Sequence, residues 1–474
     1  MSEAAEHSDP RRVSTRLLLL VIVSAVFVSV LNNTMVNVSL PAIQAGFGAS
    51  EGALGWVITG YMLAFAVGIP IYGRLSDFYS ARKIFCMGLL LLAAGSLLCA
   101  VAPNLVSLVA GRIVQGAGSA AMPALSSATV VRVLPPGERG SALGLIVSSV
   151  GVGAAVGPVV GGVVTQFLGW PFLFYGTLGL SAVLIAGIWN LLPDVAGAAG
   201  GRRGFDLVGG LLLASAAGLA LFGVTEGQAG GFASPASWGS FAAAAVAALL
   251  FVWRIRSAPE PFVSPRLFRA PAYVAASVVG FFTMLANLSC VVLVPLLLAQ
   301  VNGLSPGAVG LAMVPAAVVV AGLSPYAGRI SDRLGFRPPI VFGLLALLIS
   351  VLAISTFGAG APAWVVALLL CGVGVGFASV NSPSINAAAA ALPPPEVGVG
   401  LGIFQMLFFL GGGFGPAILG AFLAFRREAG ADALNPLYVL DAVPYSDAFL
   451  AMSPALILAL AATLWLRRPK DALR

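Results

Sequence analysis

The fold class this sequence predicts is an all-α polytopic membrane protein: fourteen spans, arranged as two six-helix bundles with two helices inserted between them. Three observations predict it. Of 474 residues, 59% are hydrophobic and 9% charged, where a soluble domain carries roughly 25% charged residues. Apolar runs of the roughly 20 residues a helix needs to cross a bilayer recur from end to end. A charged island, Gly73-Arg74-Leu75-Ser76-Asp77-Phe78-Tyr79-Ser80-Ala81-Arg82-Lys83, returns in reduced form at Gly328-Arg329-Ile330-Ser331-Asp332-Arg333. A β-barrel would need short alternating strands, which the sequence lacks.

Hydropathy places the spans near residues 15–38, 53–73, 84–102, 105–130, 139–165, 168–191, 206–226, 238–254, 271–300, 306–327, 338–358, 362–390, 398–425 and 447–466. The charge map tests that count. With the N-terminus inside and the spans alternating, 21 of the 24 basic residues fall on or beside the cytoplasmic face. They include Arg11, Arg12, Arg16, Arg132, Arg139, Arg202, Arg203, Arg254, Arg256, Arg266, Arg269, Arg337, Arg467, Arg468, Lys470 and Arg474 besides the islands. Only Arg112, inside a span, and Arg426 and Arg427, outside, depart from the rule; a missed span would scatter the charges over both faces. Both termini are therefore expected to be cytoplasmic. The net charge of +7 then reflects topology rather than nucleic-acid binding.

A second repeat matches the first. Gly157-Pro158-Val159-Val160-Gly161-Gly162 resembles Gly415-Pro416-Ala417-Ile418-Leu419-Gly420 at an offset of 258 residues, against 255 between Asp77 and Asp332. The segments are then a tail at 1–14, a bundle at 15–191, a linker with the two extra helices at 192–270, a bundle at 271–466 and a tail at 467–474. Parallel six-helix repeats about an axis normal to the membrane are a transporter architecture. Cys86, Cys99, Cys290 and Cys371 sit singly in apolar segments, without metal or disulfide spacing. One histidine, His7, lies in the polar start, which does not have the make-up of a cleavable signal peptide. Histidine chemistry, a metal, a cofactor and an enzymatic role are not expected.

These motifs resemble the major facilitator superfamily, and within it the fourteen-helix drug:proton antiporter group. The islands at 73–83 and 328–333 are similar to that superfamily's cytoplasmic signature and its weaker second-half copy. Arg112-Ile113-Val114-Gln115-Gly116-Ala117-Gly118 resembles the fourth-helix arginine motif. Gly153, Gly157, Pro158, Gly161 and Gly162 resemble the fifth-helix motif associated with exporters, and Leu31-Asn32-Asn33-Thr34-Met35-Val36-Asn37-Val38-Ser39-Leu40-Pro41 the first-helix motif of the group. The resemblance implies an alternating-access transporter in a bacterial plasma membrane. It departs at Asn32, where the group usually has an acidic residue.

The residues themselves suggest roles. Arg74 and Asp77 are one turn apart; Asp77 can pair with Arg74 or another basic group and sit near a helix N-terminus of the opposing half, a pair that must break when the halves rock apart. With Arg82, Lys83, Arg329, Asp332 and Arg333 they form a candidate cytoplasmic gate, the plainer reading being that these charges only set topology. Arg112 lies in an apolar span, where a functional role is the default for a charge; the plainer reading is a snorkelling or carbonyl-bonded arginine. Candidate substrate or coupling residues are Asn32, Asn33, Asn37, Arg112, Gln115, Asn287, Asn381 and Gln405, with Met35, Met284, Asn386, Met406 and Phe408 as further cavity lining. Gly153, Gly157, Pro158, Gly161, Gly162, Gly415 and Pro416 are read either as a hinge between the fifth and eleventh-type helices or as tight packing.

A proton carrier needs a group that titrates in the working range, and no Asp or Glu falls at mid-membrane. Asp77 and Glu226 are the candidate protonation sites; exchange with another solute and uncoupled facilitation are the other routes. The expected function is export of amphiphilic small molecules or drugs from the cytoplasm, with protons or a counter-solute as coupling partner. The alternative is a dedicated exporter, or an uncoupled facilitator or exchanger, for one endogenous metabolite, lipid or organic anion. A single chain holds both halves, so a monomer suffices.

Overall fold

The computed structural model describes residues 10–48, 51–192, 206–430 and 432–466. His7, Arg202, Arg203 and the basic tail at 467–474 lie outside the described residues. Among the described residues, fourteen helices are long and apolar enough to cross a membrane: α1 (Arg16–Phe47), α2 (Leu54–Phe78), α3 (Ala81–Ala100), α4 (Leu105–Val133), α5 (Pro136–Phe167), α6 (Pro171–Leu191), α7 (Leu207–Gln228), α8 (Pro235–Ser257), α9 (Pro271–Gln300), α10 (Gly307–Leu334), α11 (Arg337–Gly358), α12 (Ala363–Ala390), α13 (Pro394–Ala429) and α14 (Val443–Trp465). Several run further than their apolar stretch. Helical structure begins at Pro10, within the segment read as a tail, and α1 continues to Phe47 rather than ending near residue 38. Both charged islands begin inside helices, because α2 reaches Phe78 and α10 reaches Leu334. Hydropathy ends a span where apolar residues stop, whereas a helix ends where its backbone bonds stop.

Two bundles of the same plan result. In the first, α1 packs on α5 and α6, α3 on α4 and α6, and α2 on α4. In the second, α9 packs on α13 and α14, α11 on α12 and α14, and α10 on α12. The bundles meet along two equivalent seams, α2 against α13 and α5 against α10. The inserted α7 and α8 pack on each other, and α7 lies against both α2 and α13, so it covers the first seam only. Its start is held by Asp206, which caps α7 at the Gly209 amide (3.0 Å), accepts from the Phe262 amide (3.1 Å) and pairs with Arg254 at 3.0 Å. Burial pushes the Asp206 carboxyl up, but the amides of Gly209 and Phe262 and the Arg254 guanidinium outweigh it and leave it below the ordinary carboxylate value.

The glycine motifs pack helices within a bundle. Gly153, Gly157 and Gly161 are buried against α1, and a Cβ on Gly161 would overlap the Met35 carbonyl. Thr34 fills the adjacent space, its hydroxyl donating to the Val30 carbonyl (3.0 Å) and lying 3.2 Å from that of Gly153. Pro158 is exposed and Gly162 half-buried. In the second half, Gly411 and Gly415 meet the Phe281 and Leu285 carbonyls of α9, with Pro416 buried beside them. Each small-residue face meets the first helix of its own bundle, the tight packing that is one of the two readings of these residues. A glycine face admits a neighbouring backbone, and α1 and α9 are the backbones in reach.

That geometry predicts the effect of one methyl group. Gly161→Ala should destabilise the purified protein by roughly 1–3 kcal/mol through overpacking, seen as a lower thermal midpoint in detergent. Gly162→Ala, whose Cβ would meet only Val38 at 3.9 Å, should leave the midpoint unchanged. Equal effects would refute this account of the α1–α5 contact.

Candidate functional site

Both seams are closed at the face carrying the 73–83 island, and each by a carboxylate from the opposite bundle. Asp77, fully buried at the end of α2, accepts from the amides of Gly398 (2.8 Å) and Val399 (2.9 Å) in the first turns of α13. Asp332, near the end of α10, accepts from the amides of Gly140 (2.8 Å) and Ser141 (3.0 Å) near the start of α5. A carboxylate at a helix N-terminus gains from charge-assisted bonds and from the helix dipole. Close backbone approach makes this possible: a Cβ on Gly73 would strike Gly398 and Gly402, and one on Gly140 would strike Gly328. Ser382 adds a bond from α12 to the Gly140 carbonyl at 2.8 Å, and Gln405 one from α13 to the Ser127 hydroxyl at 3.3 Å.

The ion-pair partner of Asp77 is Arg132 at 2.5 Å, not Arg74. Arg132 stands at the end of α4, beside the buried carboxylate, and also donates to the Ser76 carbonyl at 2.6 Å. Arg74 lies over the Phe78 ring (4.7 Å) and donates to the Pro261 carbonyl at 3.4 Å. Arg82 turns to α6, stacking on Trp189 at 5.0 Å, and Lys83 is exposed. Arg329 and Arg333 are exposed and line a cavity of about 350 Å³ with Asp332, Glu138, Leu134 and Leu145 beside the α5–α10 seam.

Deeper in the first bundle, Arg112 is fully buried and makes four hydrogen bonds. Its Nε donates to the Val57 carbonyl at 3.1 Å, and its Nη1 to Asn32 Oδ1 and Gln115 Oε1, both at 3.0 Å. Its Nη2 reaches Asn33 Oδ1 at 3.5 Å, and the guanidinium lies 4.2 Å from the centre of the Tyr61 ring. A further layer fixes the acceptors: Asn32 donates to Thr177 at 3.1 Å, and Gln115 to Ser96 at 2.7 Å. Helices α1, α2, α3, α4 and α6 thus converge on one cation. Among the described residues no carboxylate bonds to it; every acceptor is neutral.

Elsewhere the structure separates the candidate lining residues. Met35, Met406 and Phe408 are buried in the apolar packing. Asn386 sits at the seam, donating to Asp332 at 3.4 Å. Asn381 and Gln405 are buried; Asn33, Met284 and Asn287 are half-buried, and Asn37 is exposed. Glu226 is half-buried in the last turns of α7. Asp77 does sit at a helix N-terminus of the opposing half; sequence reading did not single out Arg132 as its basic partner, and it missed Tyr61 and the α5 amides that receive Asp332. It also missed the buried pair Arg426–Asp447 at 2.6 Å, which organises the 426–445 loop. Around it Asn435 donates to Ser355 (3.0 Å) and Thr356 (2.9 Å) on a π-helical turn of α11, and Tyr438 donates to the Ala359 carbonyl at 2.9 Å.

The resemblance now has direct support. Residues 22–416 and 276–474 match the family model described as Major Facilitator Superfamily. The chain belongs to the major facilitator superfamily. It is 33% identical over 414 residues to the multidrug resistance protein Stp of Mycobacterium tuberculosis, covering 86% of this chain and 76% of that one. It is 29% identical over 409 residues, with the same coverage of 86% and 76%, to the tetracenomycin C resistance and export protein of Streptomyces glaucescens. Among solved structures, a human organic anion transporter superposes with a TM-score of 0.69 at 17% identity, over 94% of this chain and 99% of that one. At that identity the likeness concerns the fold alone. As a member of this superfamily the chain is a multi-pass membrane transporter of the alternating-access type, with the bacterial inner membrane as its setting.

The seam geometry generates a test. With the native cysteines removed and a cysteine placed at Ser127, alkylation from the island face should be slow. Asp77→Asn should raise it roughly tenfold or more, the value of one hydrogen bond to a charged group. Arg132→Gln should act in the same direction but less, because Arg132 keeps 23% of its surface exposed. Unchanged alkylation in both variants would show that this carboxylate does not hold the seam.

Proposed function

We propose that this protein exports amphiphilic small molecules, drug-like compounds among them, from the cytoplasm by alternating access, with the island face and both termini cytoplasmic. The observation that carries the reading is the pair of equivalent locks, Asp77 on α13 and Asp332 on α5. Both lie on the face where the basic residues gather, which the positive-inside rule assigns to the cytoplasm. Locks confined to that face suit an outward-open resting state, so the inward-open state must release both carboxylates. Arg329 and Arg333, exposed beside Asp332, can hold its carboxylate or anionic headgroups during the change. Relatives named for multidrug resistance and for tetracenomycin C export support an export direction.

A second reading is favoured by one specific feature. Arg112 is caged by Asn32, Asn33 and Gln115, without an acid to carry a proton through the core. This suits exchange with a counter-solute, or uncoupled facilitation of one metabolite, lipid or organic anion. In the proton-coupled version, Asp77 at the seam or Glu226 near the far end of α7 carries the proton.

Cells expressing the protein should accumulate less of a fluorescent amphiphile than cells expressing Asp77→Asn/Asp332→Asn; equal accumulation would overturn the export reading. In proteoliposomes, Asn32→Asp should strengthen substrate-induced proton movement by supplying the missing titratable group beside Arg112. If proton movement does not change, coupling does not depend on this position.

A further inference from the structure

Among the described residues, no carboxylate neutralises the charge at the centre of the cage around Arg112. A cation buried in an apolar span is costly, and the dipoles of Asn32, Gln115 and the Val57 carbonyl solvate it without supplying a negative charge. The four bonds are unequal. Three lie at 3.0–3.1 Å to fully buried or backbone acceptors, whereas the fourth, to Asn33, is stretched to 3.5 Å. Asn33 is also half-buried where Asn32, Gln115 and Arg112 itself are buried completely. One side of the cage is therefore looser than the rest, and its acceptor is the most exposed of the set. Asn37, one turn further along α1, is exposed and extends the polar strip from Asn33.

An aromatic surface starts at the same cation. Arg112 lies over Tyr61, Tyr61 stacks on Phe65 at 6.0 Å, and Phe65 meets Phe409 of the second bundle edge-on at 5.0 Å. Phe65 and Phe409 are both half-buried. A row of aromatic rings running from a positive charge to the opposing bundle matches a molecule with an anionic head and an aromatic body.

We propose that Arg112 is the recognition point for a carboxylate on an aromatic amphiphile, which replaces Asn33 on Nη2 and rests its rings against Phe65 and Phe409. This rests on the reading that transported molecules bind between the two bundles. It deepens that reading by naming the substrate class: aromatic organic anions in preference to neutral or cationic isosteres. A charge-assisted bond from Nη2 to the carboxylate would stand in for a weak amide contact and cancel the buried charge. Because α2 carries Tyr61 and Phe65 while α13 carries Phe409, such a ligand touches both sides of the α2–α13 seam.

The test uses the full chain and three matched compounds: naphthylacetate, naphthylacetamide and naphthylethylamine. Binding to the purified protein is measured by calorimetry and by thermal shift. Naphthylacetate should bind roughly tenfold to a hundredfold more tightly than the amide, the range expected for a hydrogen bond to a charged group, and the amine most weakly. Asn32→Asp places a competing carboxylate where Asn32 Oδ1 now lies, 3.0 Å from Nη1. It should erase the preference for naphthylacetate while the protein keeps a cooperative thermal transition. Equal affinity for acid and amide in the natural protein would overturn the proposal, as would an acid preference that survives Asn32→Asp. Proteoliposome uptake separates the two layers. Uptake without acid preference would sink the carboxylate site and leave the transporter reading standing. If none of the three compounds moves, the export reading falls, and the binding comparison still decides whether Arg112 recognises a carboxylate.

Discussion

Two carboxylates that take backbone amides from the opposite bundle hold this molecule closed on one face, and much of the architecture serves to bring them there. Asp77 and Asp332 each accept two amides at 2.8–3.0 Å. Away from water, unpaired amides and an unpaired carboxylate are all expensive; joined, they remove each other's cost. The bond forms only if two helices come nearly into backbone contact, which explains glycine at positions 73, 398, 402, 140 and 328. It also makes the closure conditional. Breaking one contact exposes several polar groups together, so each lock has an engaged and a released state with little between them.

The bundles behind the locks are stiffened differently. Inside each, small-residue faces press α5 onto α1 and α13 onto α9, where dispersion and close backbone contact replace the hydrophobic effect that is absent in lipid. These contacts do not cross a seam. Rigid bundles with polar, reversible contacts between them are what a rocking motion requires. The inserted α7 modifies the symmetry by covering the α2–α13 seam, while the α5–α10 seam has no such cover.

Arg112 shows a second way of handling charge in an apolar setting. Asp77 is matched by Arg132, whereas Arg112 is surrounded by amide oxygens, one carbonyl and one aromatic face. A fully hydrogen-bonded polar network fixes the side chains that compose it, so five helices of the first bundle are registered on one guanidinium. The remaining net charge is a property of the site rather than of its geometry, and it traces to asparagine at position 32.

Much of this was legible in the linear chain. Apolar run length and basic-residue placement were sufficient for fourteen spans, because both follow from bilayer thickness and charge placement rather than from tertiary contacts. The two offsets, 255 and 258 residues, exposed the repeated plan, and the isolation of Arg112 in an apolar span marked it as the central residue of its bundle. Only the tertiary structure decided which groups meet. Arg132 lies 55 positions from Asp77, and Gly398 lies 321 away; local spacing favoured Arg74, one turn off, but the helix end delivered Arg132 instead. The glycine faces were evident as small-residue patterns, yet whether they faced the opposing bundle or their own first helix depended on helix rotation. Asn386 and Met35 were polar or soft residues at plausible depths until packing assigned one to a lock and the other to the core. Periodicity and hydropathy are summed along the chain and survive in the sequence; a hydrogen bond between two helices depends on how both are turned, and that is settled only when all fourteen are packed.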